Sequence, residues 1–170
     1  MPDDTNLAFA ENRPPLLEAT GLCKRFPGVQ ALSDVSAVFH AGEVVAVMGE
    51  NGAGKSTLMK ALAGVHPPDA GEIRWRGKNV RISTVAQAEA LGIAFIHQEL
   101  NLCGNLTVAE NVFLGREPAR AGWWLDRGRM RLETAALLER VGLKVGPDEL
   151  VENLSIGQRQ MVEIARALAR

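Results

Sequence analysis

The stretch Gly49–Thr57, "GENGAGKST", decides the fold. It fits the spacing G-x-x-x-x-G-K-[S/T], with Gly49, Gly54, Lys55 and Ser56 at the fixed positions and Thr57 behind them. Glycines allow positive φ, so the turn through Glu50, Asn51, Gly52 and Ala53 can aim successive N–H groups inward at phosphate oxygens. The N-terminus of a following helix adds partial positive charge, and Lys55 supplies a mobile point charge for the β and γ phosphates. The Ser56 hydroxyl suits a Mg²⁺ ion bridging those phosphates, so the spacing implies a nucleoside triphosphate site.

The flanks support that reading. Val44 to Met48 is apolar on consecutive positions, as in a central strand covered on both faces, and it runs straight into the glycine loop. After the loop, "KSTLMKALAGV" carries Leu58, Met59, Leu62 and Val65 at helical spacing, and Gly64 with Pro67 ends the pattern. The prediction is strand, loop, helix.

Further out, "LLEATGLCKRF" and "VSAVFH" flank a turn at Pro27 and Gly28 and predict an antiparallel pair. "EIRWRGKNVRI" predicts an exposed hairpin, "TVAQAEALG" a helix capped by Ser83 or Thr84 and closed by Gly92, and "IAFIHQ" a second buried strand. Beyond it the pattern turns helical: "TVAENVFLG" with Thr107 as cap and Glu110 three residues on, "DRGRMRLETAALLERVG", and a last helix starting near Ser155.

Composition narrows the function classes. The 170 residues, 46% hydrophobic and 23% charged, form an ordinary globular composition for one domain. A net charge of −1 gives no basic face for nucleic acid, which is excluded as a partner. Cys23 and Cys103 lie far apart without C-x-x-C spacing or a histidine cluster, so neither a disulfide framework nor a zinc site is indicated, and a reducing cytosol suits them. The opening "MPDDTNLAFAENRPP" lacks a basic n-region and an apolar h-region; residues 1–15 read as a polar, mobile leader. No apolar run approaches the ~20 residues that cross a bilayer, so a membrane role must come through a partner.

More than the loop matches a known family. "IAFIHQ" ends in Gln98, "LSIGQ" spans Leu154 to Gln158, and with the glycine loop these stand in the order found in ATP-binding cassette ATPases, which the sequence resembles. "ENGAGKSTLMKALAGV", "HQELNL", "TVAENVFLGRE" and "QMVEIARAL" are similar to stretches of the ATPase subunits of bacterial monosaccharide importers of the ribose, xylose, arabinose and galactose type. The resemblance runs from about Leu17 to the last residue.

The resemblance implies the following. The fold is an α/β P-loop core of cassette type with an antiparallel β subdomain and a helical subdomain, residues 16–170 forming a partial nucleotide-binding domain, with 17–98 as the β-rich core and 99–160 the helical part that holds the signature. Phe26 stacks on adenine; Gln98 ligates Mg²⁺ or places the attacking water; Ser155, Gly157 and Gln158, at a helix N-terminus, face the γ phosphate of a nucleotide held by a second subunit. Ser155 reads equally as a plain helix cap, Phe26 as a core residue beside a turn, and Gln98 as a polar strand end. Many cassette proteins have two successive glycines in the signature; here Ile156 precedes Gly157, a branched residue common in the sugar-importer subgroup.

Implied cofactors are ATP and Mg²⁺. Implied partners are a membrane permease, a second nucleotide-binding domain and, indirectly, a periplasmic sugar-binding protein, with the chain peripheral on the cytoplasmic face of the inner membrane. The family's Walker B aspartate, catalytic glutamate and switch histidine lie beyond the signature helix. "GQRQMVEIARALAR" stops in mid-pattern with neither a closing glycine nor a proline, and the expectation is a truncated domain that binds ATP better than it hydrolyses it. The alternatives are a nucleotide-binding remnant or regulator without turnover, or another P-loop enzyme; no N-K-x-D motif supports a GTPase, and a small kinase would leave "LSIGQ" accidental.

Other conspicuous residues read blandly. Arg116, Arg120, Arg127, Arg129 and Arg131, interleaved with Glu117, Asp126 and Glu133, predict a solvated helical face. Trp123 and Trp124 after Gly122 are candidates for a partner contact, whereas His40, His66 and His97 belong to no ligand cluster.

Overall fold

Pro27 and Gly28 turn the chain back on itself, Gly28 at φ +79°, and join β1 (Pro15–Phe26) to β2 (Val29–His40) as the turn signal predicts. The computed structural model describes residues 14–120 and 124–169. The leader, except for its last two residues, and Trp123 lie outside the described residues. Contacts divide the chain into two compact units, one ending at Ile93 and the other starting at Ala94.

In the first unit a four-stranded antiparallel sheet has the order β2-β1-β3-β4, with β3 (Ala70–Trp75) and β4 (Lys78–Val80) as the second hairpin. This hairpin is not simply exposed as its sequence suggests, because β3 pairs with β1 and buries Ile73. Strand β1 buries Leu17 and Ala19 at the period of two and then Leu22, three residues on. An irregularity between Ala19 and Leu22, with Gly21 at φ +63°, accommodates the extra residue and keeps Leu22 on the core side. These residues pack with Leu32, α1 (Lys55–Leu62) and Ala88 of α2 (Val85–Ala90). The Thr84 hydroxyl caps α2 by accepting from the Gln87 N–H, as expected.

Two expected strands do not form. Val44–Met48 and Ile93–Gln98 pair with no strand among the described residues. Val44 is fully exposed and Met48 is 88% exposed, although their residue types suit burial on both faces. The reason is physical: a strand is defined by backbone bonds to a neighbour, and apolar side chains in sequence do not supply one.

The second unit is helical, with α3 (Val108–Phe113), a two-strand ribbon of β5 (Ala119–Arg120) and β6 (Trp124–Leu125), α4 (Arg127–Arg140), a 3₁₀ turn (Val151–Asn153) and α5 (Ile156–Leu168). Val108, Val112, Met130, Leu138, Val151 and Val162 form its core. Trp124 is 77% exposed on the ribbon. Arg129 pairs with Glu133 at 2.6 Å and Arg131 with Asp148 at 2.6 Å, both exposed, as a solvated face requires. Arg116 departs from that expectation: half-buried, it donates to the carbonyls of Val112, Arg166 and Ala169 and so joins the ends of α3 and α5.

Helix α3 opens with the expected capping box, in which the Thr107 hydroxyl accepts from the Glu110 N–H while the Glu110 carboxylate accepts from the Thr107 N–H at 2.9 Å. That backbone bond and the Thr107 hydroxyl hold the Glu110 carboxyl below its ordinary value of 4.5. A depressed carboxyl means that the unfolded chain binds the proton more readily. Its contribution to stability is therefore complete above pH 4.5 and lost as pH falls below it. The thermal midpoint of the helical unit should drop on acidification from about pH 5 to about pH 3, and Glu110→Gln, which still accepts the bond but does not titrate, should show a smaller drop in a melting series.

Candidate functional site

The glycine loop follows the unpaired segment and bends through Gly52 at φ +87° and Gly54 at φ +84°. Gly54 is the N-cap of α1 in left-handed conformation, and a Cβ there would sit 2.4 Å from the Ala31 carbonyl oxygen of β2. Only glycine fits between the loop and the sheet at that point. The loop closes one turn through the Ala53 N–H to the Glu50 carbonyl at 3.2 Å.

Helix α1 begins with no side-chain cap and no acidic residue in its first turn. Its partial positive charge is left for an outside anion, which satisfies the fit that a phosphate group requires. Lys55 Nζ donates to the carbonyls of Gly49 and Glu50, both at 2.7 Å, so the ammonium is held across the loop by the loop's own carbonyls. Ser56 is exposed beside it and Thr57 half-buried. Gly49 to Gly54, Lys55, Ser56 and Thr57 thus form one continuous cradle.

Phe26 ends β1 half-buried and outside the core cluster. The His66 ring meets it edge to face at 5.4 Å, and Lys24 Nζ lies 5.8 Å from its centroid. Lys24 is itself held by the Pro67 carbonyl at 2.7 Å and by Asp69 at 2.8 Å. The Lys24 bond, with the Arg25 N–H, holds the Asp69 carboxyl below its ordinary range. His66 thereby has a packing role against Phe26.

The remaining expected site residues are in the second unit. Gln98 is exposed at a bend just after Phe95 and His97, whose rings meet edge to face at 4.7 Å. Ser155 and Gly157 are exposed at the start of α5, with Gln158 half-buried. The Ser155 hydroxyl accepts from the Gln158 N–H, and the Gln158 side chain accepts from the Ser155 N–H, a complete capping box. The cap reading of Ser155 therefore holds in the structure, and its hydroxyl proton is still available to donate. Ile156 is 69% exposed between them.

Two polar groups escaped the sequence reading. Asn111 is fully buried and bonds the Cys103 N–H through Oδ1 at 2.8 Å and the Cys103 carbonyl through Nδ2 at 3.0 Å. Glu163, 7% exposed on α5, accepts from the Asn101 N–H at 2.9 Å, and Arg166 donates to the Asn101 carbonyl at 3.1 Å. The available signal was a carboxylate set between Val162 and Ile164 on an apolar helix. A cavity of about 370 Å³ in this unit, floored by Leu106, Ala109 and Met130 and edged by Glu110, Arg127 and Asp148, includes none of the expected site residues.

A glycine cradle opening an uncapped helix, followed in sequence by a capped "LSIGQ" helix, defines a P-loop nucleotide-binding protein. Residues 32–170 match the family described as ABC transporter, and the chain belongs to that family. It is 52% identical over 170 residues to a protein of Burkholderia ambifaria provisionally named ribose/galactose/methyl galactoside import ATP-binding protein 3, covering 99% of this chain and 33% of that protein. It is 52% identical over 163 residues to a similarly named protein of Agrobacterium fabrum, covering 96% of this chain and 32% of the relative. The chain thus spans about a third of the length of these relatives.

Among solved structures, a nucleotide-free ATP-binding cassette from an ABC transporter superposes with a TM-score of 0.78 at 29% identity, covering 91% of this chain and 65% of the other. A dimeric bacterial ABC transporter cassette superposes with a TM-score of 0.74 at 26% identity, covering 90% and 69%.

Proposed function

We propose that the chain is the ATP-binding part of a bacterial monosaccharide import system, in which ATP binding and hydrolysis are coupled to transport through a membrane permease. The observation that carries this is the cradle itself: an α1 N-terminus with no side-chain cap, approached by a lysine whose present partners are loop carbonyls. The choice of sugar rests on the names of relatives about half identical in sequence.

In this reading the loop N–H groups from Gly49 to Thr57 and Lys55 hold the phosphates, and Phe26 stacks on the base. Ser56 and Gln98 would hold Mg²⁺, which when bound neutralises charge on the β and γ phosphates. Ser155, Gly157 and Gln158 would face a nucleotide held by a second copy of the domain. The permease is the partner through which the chain works at the cytoplasmic face of the membrane, with a periplasmic sugar-binding protein acting indirectly. No helix among the described residues is long and apolar enough to cross a membrane itself.

The test is uptake of a panel of labelled monosaccharides by source cells whose gene carries Lys55→Ala. Uptake of one sugar or a closely related pair should fall to background while the others persist. Unchanged uptake of ribose, galactose, xylose and arabinose would overturn the import reading.

A further inference from the structure

The segment after Gln98 is gripped twice within a few residues. Glu163 and Arg166, one helical turn apart on α5, take the N–H and the carbonyl of Asn101, as a neighbouring strand would. Asn111 of α3 does the same to Cys103 with both ends of its amide. Between Gln98 and Asn101 stand only Glu99 and Leu100, so the tether from the grip to Gln98 is at most about 10 Å long. Residues His97 to Asn101 are all exposed, so their own side-chain packing does little to place the segment.

From this we propose that Glu163 and Arg166 are positioning residues for Gln98: by clasping the Asn101 peptide they fix the Gln98 segment to the same helix that presents Ser155 and Gly157. Glu163 is suited to this because its carboxylate is buried, so an acceptor for one backbone N–H is held by packing rather than by a flexible surface rotamer. Arg166, half-buried three residues later, closes the other side of the same peptide. The inference rests on the role proposed above for Gln98 towards Mg²⁺.

The experiment uses the 170-residue chain. Amide exchange is followed at Asn101, and affinities for ATP are measured with Mg²⁺ and with chelator. In Glu163→Ala the Asn101 amide should exchange about tenfold faster, the loss of one charge-assisted bond, while Glu163→Gln, which still accepts, should stay near the parent rate. Gln98→Ala should reduce the Mg²⁺-dependent gain in ATP affinity about fivefold, Glu163→Ala and Arg166→Ala should each reduce it about threefold or more, and Glu163→Gln should restore it. Metal-free ATP affinity should stay within about twofold of the parent in all of them, which a general loss of structure would not allow.

If Gln98→Ala acts but Glu163→Ala and Arg166→Ala leave the Mg²⁺ dependence intact, the positioning role is wrong and the reading of Gln98 stands. If Gln98→Ala has no effect, that reading falls and the positioning role falls with it. Should Glu163→Ala fail to fold, Arg166→Ala with Glu163→Gln carries the same decision.

Discussion

Lys55→Ala should weaken ATP binding by about 10- to 100-fold, because charge-assisted bonds from an ammonium to phosphate are worth about 1.5–3 kcal/mol. The structure explains why the loss should appear in binding and not in folding. Among the described residues Lys55 Nζ bonds the Gly49 and Glu50 carbonyls, in a loop whose residues from Gly49 to Ala53 are all exposed. Those carbonyls can turn to water when the ammonium is gone, so the thermal midpoint without ligand should move little. Lys55→Arg should fall between the two, keeping the charge but presenting a planar fork where a compact point charge fits. Titration calorimetry with ATP, paired with a melting curve for each variant, checks both halves. A Lys55→Ala chain that binds ATP as the parent does would remove the loop from the account of this protein.

Gly64→Ala should destabilise the first unit severely, at about 3 kcal/mol or more. Gly64 ends α1 at φ +71°, a conformation that L side chains rarely adopt, and an added Cβ would lie 2.3 Å from the Thr84 carbonyl oxygen and 3.0 Å from Ile82. The oxygen cannot move freely, since the Thr84 carbonyl accepts the Gln87 and Ala88 N–H groups at the start of α2. The change therefore strains a helix end and disturbs the next helix together. Gly142 gives the matched control. It follows α4 at φ +70° with no atom within 4 Å of a Cβ, so Gly142→Ala should cost only the left-handed penalty of about 1 kcal/mol. Denaturant unfolding of the two variants separates conformational strain from collision, and equal losses would show that the contact with Thr84 carries no weight.

Much of the local structure was legible because it is governed by residues close in sequence. The turn at Pro27 and Gly28, the caps at Thr84 and Thr107, the glycine after each of α1, α2 and α4, and the bend of the phosphate loop each follow from the stereochemistry of a few neighbours. The capping box at Ser155 is of the same kind, since Gln158 stands three residues on. The glycine loop was legible for the same reason: it consists of backbone groups and three consecutive side chains, so spacing in sequence is spacing in space.

What the sequence by itself determined is therefore the cradle from Gly49 to Thr57, the helix boundaries and the two hairpins. Tertiary structure alone decided which segments became strands. Val44–Met48 has the composition of a buried strand and finds no partner among the described residues, while Ala70–Trp75, far more polar, becomes β3 because β1 lies alongside to take its backbone bonds. It also decided that Glu163 and Arg166 meet Asn101 across more than sixty residues of sequence, a pairing no local pattern encodes. Strand pairing and buried polar contacts depend on which backbone groups are left unsatisfied at close range after the chain has folded, and only the assembled structure fixes that.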